Sequence, residues 1–234
     1  MDRIKEGKEE LLRENKSSGM EACLEGIERD FPQEEYSLFW LWEKYNSFLR
    51  PGITEEEKLA AMVKAATELT TQEAPRWEYI AARLLNLQFH QKLEQELKKR
   101  GIQGLYEKLS YLTEEGLYGD YILKHYTEEE IREAETFLRE ERDYLFTYAG
   151  LELMLKRYVI QTHSHAPLET PQEMYLGIAL HLAMEEKKDR MKWVRRFYDM
   201  LSRMEVTRAT PTLSNARKPY HQLSSCFIDT VPDS

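Results

Sequence analysis

One stretch of this sequence concentrates residues able to do chemistry: positions 208–234, R-A-T-P-T-L-S-N-A-R-K-P-Y-H-Q-L-S-S-C-F-I-D-T-V-P-D-S. Its thiol, Cys226, follows the hydroxyls of Ser224 and Ser225, with Thr210 upstream. A thiol can serve as nucleophile or redox centre, and neighbouring hydroxyls can hold a ribose or a phosphate. The competing reading on chemistry alone is a structural cysteine in a barrel or sheet strand, because free cysteines are among the most buried residues. Locally, Thr210-Pro211-Thr212 is expected to be an extended entry, since the residue before a proline is pushed out of the helical region. Positions 214–219, S-N-A-R-K-P, read as a loop. Positions 223–228, L-S-S-C-F-I, read as a short strand.

The elements that must position this stretch are helices. Thr54-Glu55-Glu56-Glu57, Thr127-Glu128-Glu129-Glu130 and Thr170-Pro171-Gln172-Glu173 each begin a helix with the T-x-x-E pattern of a capping box, in which cap and third residue satisfy each other's backbone N–H groups. The acidic runs at 55–57 and 128–130 look like carboxylate sites, but acid at a helix N-terminus is what the macrodipole favours. A long helix is expected from about Arg76 to Arg100. Others are expected through 105–112 and 121–124, from Thr170 to about Glu185, and from Asp189 to Ser202. Trp193, Val194, Phe197, Tyr198 and Leu201 should face the core there, with Lys192, Arg195 and Arg196 outward. Arg157 to Thr162 is rich enough in β-formers for a strand, and His163-Ser164-His165-Ala166-Pro167 for its hairpin loop. His163 and His165 have no partner at metal-ligand spacing, so they are read as an incidental pair. In the first fifty residues, Ser17-Ser18-Gly19 separates a charge-rich segment, 1–16, from an amphipathic one through Ile27. The aromatic run 36–45 reads as a core or interface seed. Cys23, between Ala22 and Leu24, is read as packing.

Composition removes several classes. The net charge of −9 leaves no basic footprint for nucleic acid and no attraction to an anionic membrane surface. No run approaches the roughly 18 apolar residues of a membrane span, and the N-terminus lacks a signal-peptide core. Two cysteines far apart argue for a reducing compartment, hence a cytoplasmic setting. Glycine-rich phosphate loops, hydrolase elbows and zinc patterns are absent.

T-P-T-L-S-N-A (210–216), a short variable loop and Q-L-S-S-C-F (222–227) resemble the opening of the catalytic barrel in the large (alpha) subunit of class I ribonucleotide reductase. The family pattern is (S/T)-P-T-L-F-N-A-G followed by Q-L-S-S-C-F, and this chain departs from it at Ser214, where Phe is usual, and at Arg217, where Gly is usual. Weaker similarity runs through R-D-Y-L-F-T-Y-A-G (142–150), L-K-R-Y-V-I-Q (155–161), E-T-P-Q-E-M-Y (169–175), R-R-F-Y-D (195–199), A-P-R-W-E-Y-I-A-A-R-L-L (74–85) and Y-T-E-E-E (126–130).

The resemblance implies a mainly α fold: the helical N-terminal domain of the large subunit, a short β element and the first strand of the ten-stranded α/β barrel. It divides the chain into a helical N-terminal extension (1–50), helices resembling a degenerate ATP-cone remnant (51–100), the helical domain proper (101–207) and the start of the barrel (208–234). The cone's V-x-K-R-D-G type opening is not visible, and capping accounts for Thr54, so no nucleotide is expected there. By resemblance, Cys226 is one of two redox thiols, Thr210 and Ser225 bind the substrate, and Asp233 and Ser234 begin an effector site. No cofactor is expected on this chain. The family employs a radical-generating, metal-containing small subunit, nucleotide effectors and a thioredoxin or glutaredoxin reductant. Implied partners are the remainder of the large subunit, that small subunit, a nucleoside diphosphate and a nucleotide effector. The second redox cysteine and the radical-bearing cysteine lie downstream in the family, so the chain alone is expected to be inactive, as a split product or a truncation. A cobalamin-dependent class II reductase shares a similar S-P-T-L-x-N-A-G element, and a non-catalytic helical interaction protein derived from the family is the other alternative.

Overall fold

The computed structural model describes residues 18–226 and residue 228. Asp233 and Ser234 therefore lie outside the described residues, as does the segment 1–16. The chain divides into two compact units, Met1–Lys92 with Asp143–Leu153, and Leu93–Arg142 with Met154–Ser234. Among the described residues both are built from helices, with no strand.

In the first unit, α1 (Ser18–Asp30) turns Met20, Leu24 and Ile27 inward at helical spacing. A 3-10 turn at Glu34–Tyr36 leads to α2 (Leu38–Asn46), where the Ser37 hydroxyl accepts from the Phe39 N–H at 3.2 Å. The aromatic run splits by face: Tyr36, Trp42 and Tyr45 are buried, while Phe39 and Trp40 are exposed. α3 (Glu55–Glu68) opens with the Thr54–Glu57 capping box and buries Leu59, Met62, Val63 and Ala66. α4 (Trp77–Arg100) is the longest element, and its first turns bring Trp77, Ile80, Ala81 and Leu84 into the same core. Cys23 packs beside this core with its thiol 4.0 Å from the Arg83 carbonyl, and burial pushes its pKa up to about 11. It is a packing residue.

In the second unit, α9 (Pro171–Ala183) packs on α10 (Arg190–Ser202), α7 (Glu128–Glu135) packs on α10 and on α5 (Leu105–Glu114), and α6 (Asp120–His125) packs on α5. α9 is apolar on every side and almost wholly buried, as expected of a central helix. Its capping box is complete, with Pro171 in the first turn, where a missing N–H costs nothing. α10 buries Val194, Tyr198 and Leu201, leaves Trp193 and Phe197 half-buried, and turns Lys192, Arg195 and Arg196 outward. Three polar ties hold the helices in register. Lys108 donates to Glu173 at 2.6 Å, the Tyr198 hydroxyl to Gln172 at 2.8 Å, and Arg190 to both Glu130 oxygens at 2.6 and 2.7 Å.

Two expectations need correction. The strand expected over 157–162 is absent: α8 (Tyr148–Leu153) is followed by a π-helical turn at Met154–Tyr158, and one isolated antiparallel bridge joins Gln161 to Pro167. Backbone bonds cross the reversal, with the Leu168 N–H on the Ile160 carbonyl at 3.0 Å, but the Ile160 N–H goes to Glu169 Oε2 at 2.9 Å, so the pairing does not extend into a strand. The loop 163–167 does reverse the chain at that bridge, with the Thr162 N–H on the Ala166 carbonyl at 2.9 Å and His165 left-handed at φ 62°. The second correction concerns the C-terminal stretch. Thr210-Pro211-Thr212 is not extended but opens a helix, α11 (Thr210–Asn215), after an extended Ala209. No barrel strand forms over the described part of 223–228, since no second strand lies alongside to pair its backbone.

Candidate functional site

The chemistry-bearing stretch hangs on one buried ion pair. Arg217, fully buried, directs Nε to Glu169 Oε1 at 2.6 Å and Nη2 to Oε2, a two-pronged pairing suited to a planar guanidinium. Its remaining donors reach the Tyr158 carbonyl (Nη2, 2.8 Å) and the Leu213 carbonyl (Nη1, 2.8 Å). Burial alone would lower the Arg217 pKa, and the Glu169 carboxylate outweighs it, so the guanidinium stays charged. One cation thus ties together the end of the π turn, the residue before the α9 cap and the last turn of α11.

The neighbouring atoms are fitted to this pair. A side chain at Gly177 would stand 2.3 Å from the Tyr118 hydroxyl and 2.7 Å from Arg217 Cδ, so only glycine lets α9 pass this close. Burial, reinforced by Glu169, raises the Tyr118 phenol well above its ordinary range. The Gly119 N–H donates to the Arg217 carbonyl at 2.8 Å, and the Tyr121 hydroxyl to the Ala216 carbonyl at 2.6 Å.

Two further hydrogen bonds shape the chain between α11 and the thiol. Asn215 Nδ2 donates to the Gln222 carbonyl at 2.9 Å, and Gln222 Oε1 accepts from the Ser224 N–H at 2.8 Å. Ser225 Oγ then lies 3.8 Å from Cys226 Sγ, and Cys226 is exposed rather than buried in a strand. Thr210, also exposed, places its Oγ1 3.4 Å from the Tyr158 hydroxyl. The structure therefore joins Ser225 to Cys226 and Thr210 to Tyr158, with no hydrogen bond between the two pairs among the described residues. Beside this arm is a cleft of about 360 Å³, lined in part by Ile160, Gln161, Asn215, Lys218 and Tyr220. Burial, then Arg217, lowers the Lys218 pKa. No group of three or more His, Cys, Asp and Glu side chains is arranged for a metal among the described residues. No helix among them is long and apolar enough to cross a membrane.

Glu169 and Tyr158 escaped the reading of the sequence as functional positions, although both fall within segments quoted for the resemblance. The available signal was Arg217 itself, a bulky cation where the family has glycine, which requires a buried anion.

Two histidines flank the arm. The Tyr121 hydroxyl spends its proton on Ala216, so it accepts from His181 Nδ1 at 3.2 Å, and His221 Nδ1 donates to the Pro219 carbonyl at 3.2 Å. Burial, then the neighbouring His221, lowers the His181 pKa from 6.5. The unfolded chain consequently binds more protons at this position, and stability falls as pH drops through about 6.5. His181→Asn keeps an N–H donor and removes the titration. Urea unfolding between pH 7.5 and 5.5 should show a shallower acid loss for this variant, the difference in slope not exceeding about 1.4 kcal/mol per pH unit. Parallel curves would contradict the assignment.

Residues 144–221 match the family model described as "Ribonucleotide reductase, all-alpha domain". The chain is 58% identical over 217 residues to the ribonucleoside-diphosphate reductase subunit alpha of Treponema pallidum, an alignment covering 93% of this chain and 26% of that protein. It is 34% identical over 186 residues to the corresponding subunit of Helicobacter pylori (strain 26695), covering 79% and 23%. With the Escherichia coli ribonucleoside-diphosphate reductase 1 subunit alpha it shares 31% identity over 185 residues, covering 78% and 24%. The similarity thus runs well beyond the all-α domain into the first unit, and the chain belongs to the ribonucleotide reductase large-subunit family, spanning about a quarter of the length of these relatives.

Proposed function

We propose that this chain supplies the helical domain and the redox-thiol arm of a class I ribonucleoside-diphosphate reductase large subunit. In the complete subunit the reaction removes the ribose 2′ hydroxyl of a ribonucleoside diphosphate. Two thiols supply two electrons and two protons; the products are a deoxyribonucleoside diphosphate, water and a disulfide, which an external dithiol reduces again. Cys226 is one of the two thiols. Cys23, half-buried with its pKa raised to about 11, is unsuited to be the other, which comes from the rest of the subunit. Thr210 and Ser225 contact the substrate through hydroxyl or backbone groups, and Asp233 and Ser234 begin the effector site.

In this reading residues 1–50 are a helical extension, 51–100 a remnant of the ATP cone, 101–207 the helical domain and 208–234 the opening of the barrel, its first strand formed when neighbouring strands are present. The radical comes from a separate metal-containing small subunit, the reductant is of the thioredoxin or glutaredoxin type, and the setting is cytoplasmic. The observation that carries the proposal is the Q-L-S-S-C-F arm, with its thiol exposed and its base held by Asn215 at the end of α11. The test is deoxynucleotide formation by the complete large subunit with its small subunit. Cys226→Ser should fall to background while still binding effector nucleotide, and retained turnover would refute the assignment.

A further inference from the structure

Thr210 Oγ1 has one hydrogen-bond partner among the described residues, the Tyr158 hydroxyl at 3.4 Å. Thr210 is exposed, so its hydroxyl would otherwise exchange between the two χ1 rotamers open to a helical threonine. Tyr158 is buried, and its backbone carbonyl is held by Arg217 Nη2 at 2.8 Å. Arg217 also takes the Leu213 carbonyl, in the last turn of the helix that Thr210 begins. A six-residue helix has no stability of its own, so α11 keeps its place through its packing on α9 and the π turn together with these ties. Both the helix that bears Thr210 and the phenol that meets its hydroxyl are therefore referred to one buried ion pair.

We propose that Tyr158 is a positioning residue for substrate binding: its phenol donates to Thr210 Oγ1, fixes that side chain's rotamer, and leaves the threonine proton free for an oxygen of the ribonucleoside diphosphate. The Arg217–Glu169 pair sets the distance between the two. This rests on the reading of Thr210 as a substrate-contacting residue. Tyr158 does not touch substrate and acts through Thr210 alone. Its removal should weaken binding of the ground and transition states alike, raising KM without lowering kcat.

The test is a double-mutant cycle in the complete large subunit assayed with its small subunit, comparing Tyr158→Phe, Thr210→Ala and the pair. Tyr158→Phe should raise KM for the nucleoside diphosphate about three- to tenfold, the loss expected of one hydrogen bond, with kcat and thermal midpoint kept. Thr210→Ala should raise KM at least as much. In the Thr210→Ala background, Tyr158→Phe should do nothing further. An unchanged KM in Tyr158→Phe, or an equal rise in both backgrounds, overturns the positioning role even with Thr210 confirmed. An unchanged KM in Thr210→Ala overturns it by removing its premise. Neither result touches the assignment of Cys226, which is tested separately by the serine variant.

Discussion

Replacing Arg217 with alanine should lower the unfolding free energy of the chain by about 3–5 kcal/mol, the cost of stranding a buried charge. The Glu169 side chain is only 3% exposed, so solvent cannot substitute for the lost guanidinium. The carbonyls of Tyr158 and Leu213 lose their donor at the same time, and α11 loses the tie at its last turn. The comparison that isolates the charge is Arg217→Met with Glu169→Leu. Replacing both ions by apolar groups of similar volume should restore part of the loss, because the desolvation cost disappears with them. Full recovery is not expected, since the Ile160 N–H then lacks its carboxylate acceptor. Urea unfolding of Arg217→Ala and of the double variant reads the loss and its recovery. A double variant no more stable than Arg217→Ala would show that the pair's packing, not its charge balance, is what matters.

Trp77→Ala should cost about as much, roughly 3–5 kcal/mol, by a different mechanism. Trp77 is 1% exposed in the core of the first unit, its ring centroid 6.2 Å from that of Tyr36. Its Nε1 donates to the Glu35 carbonyl at 2.9 Å, fixing the 3-10 turn that precedes α2. Truncation removes the apolar contacts and this bond together, leaving a cavity that rigid helices fill only in part. Trp77→Phe should retain most of the packing and lose the hydrogen bond, for a smaller cost. Hydrogen exchange over peptides between residues 20 and 84 would show the loss of protection, and protection unchanged in Trp77→Ala would contradict this account of the core.

What was legible in the sequence was local. Each capping box needs four consecutive residues, and those at Thr54, Thr127 and Thr170 form as their T-x-x-E patterns require. The long helix begins and ends within a residue of its expected bounds, because no proline or glycine interrupts 77–100. The entry at Thr210 was misread for a physical reason. The rule that disfavours helix before proline lost to the tolerance for proline in a first turn, where its missing N–H has no acceptor to serve. The β-rich run 157–162 failed as a strand because its start belongs to the π-helical turn and the Ile160 N–H is taken by Glu169, leaving a single bridge at Gln161. The motif around Cys226 was visible as a string of residues, whereas its anchor was not: Arg217 and Glu169 stand 48 positions apart, and only the folded chain shows that they meet.

The most direct test of the central claim follows the Cys226 thiol through a single turnover. The complete large subunit, fully reduced and freed of external reductant, is mixed with its small subunit and a ribonucleoside diphosphate, quenched in acid, alkylated and digested without reduction. The peptide bearing Cys226 should pass into a disulfide in proportion to the deoxynucleotide formed, while Cys23 remains alkylated as a free thiol. Deoxynucleotide formed in stoichiometric amount with Cys226 still a free thiol would contradict that claim.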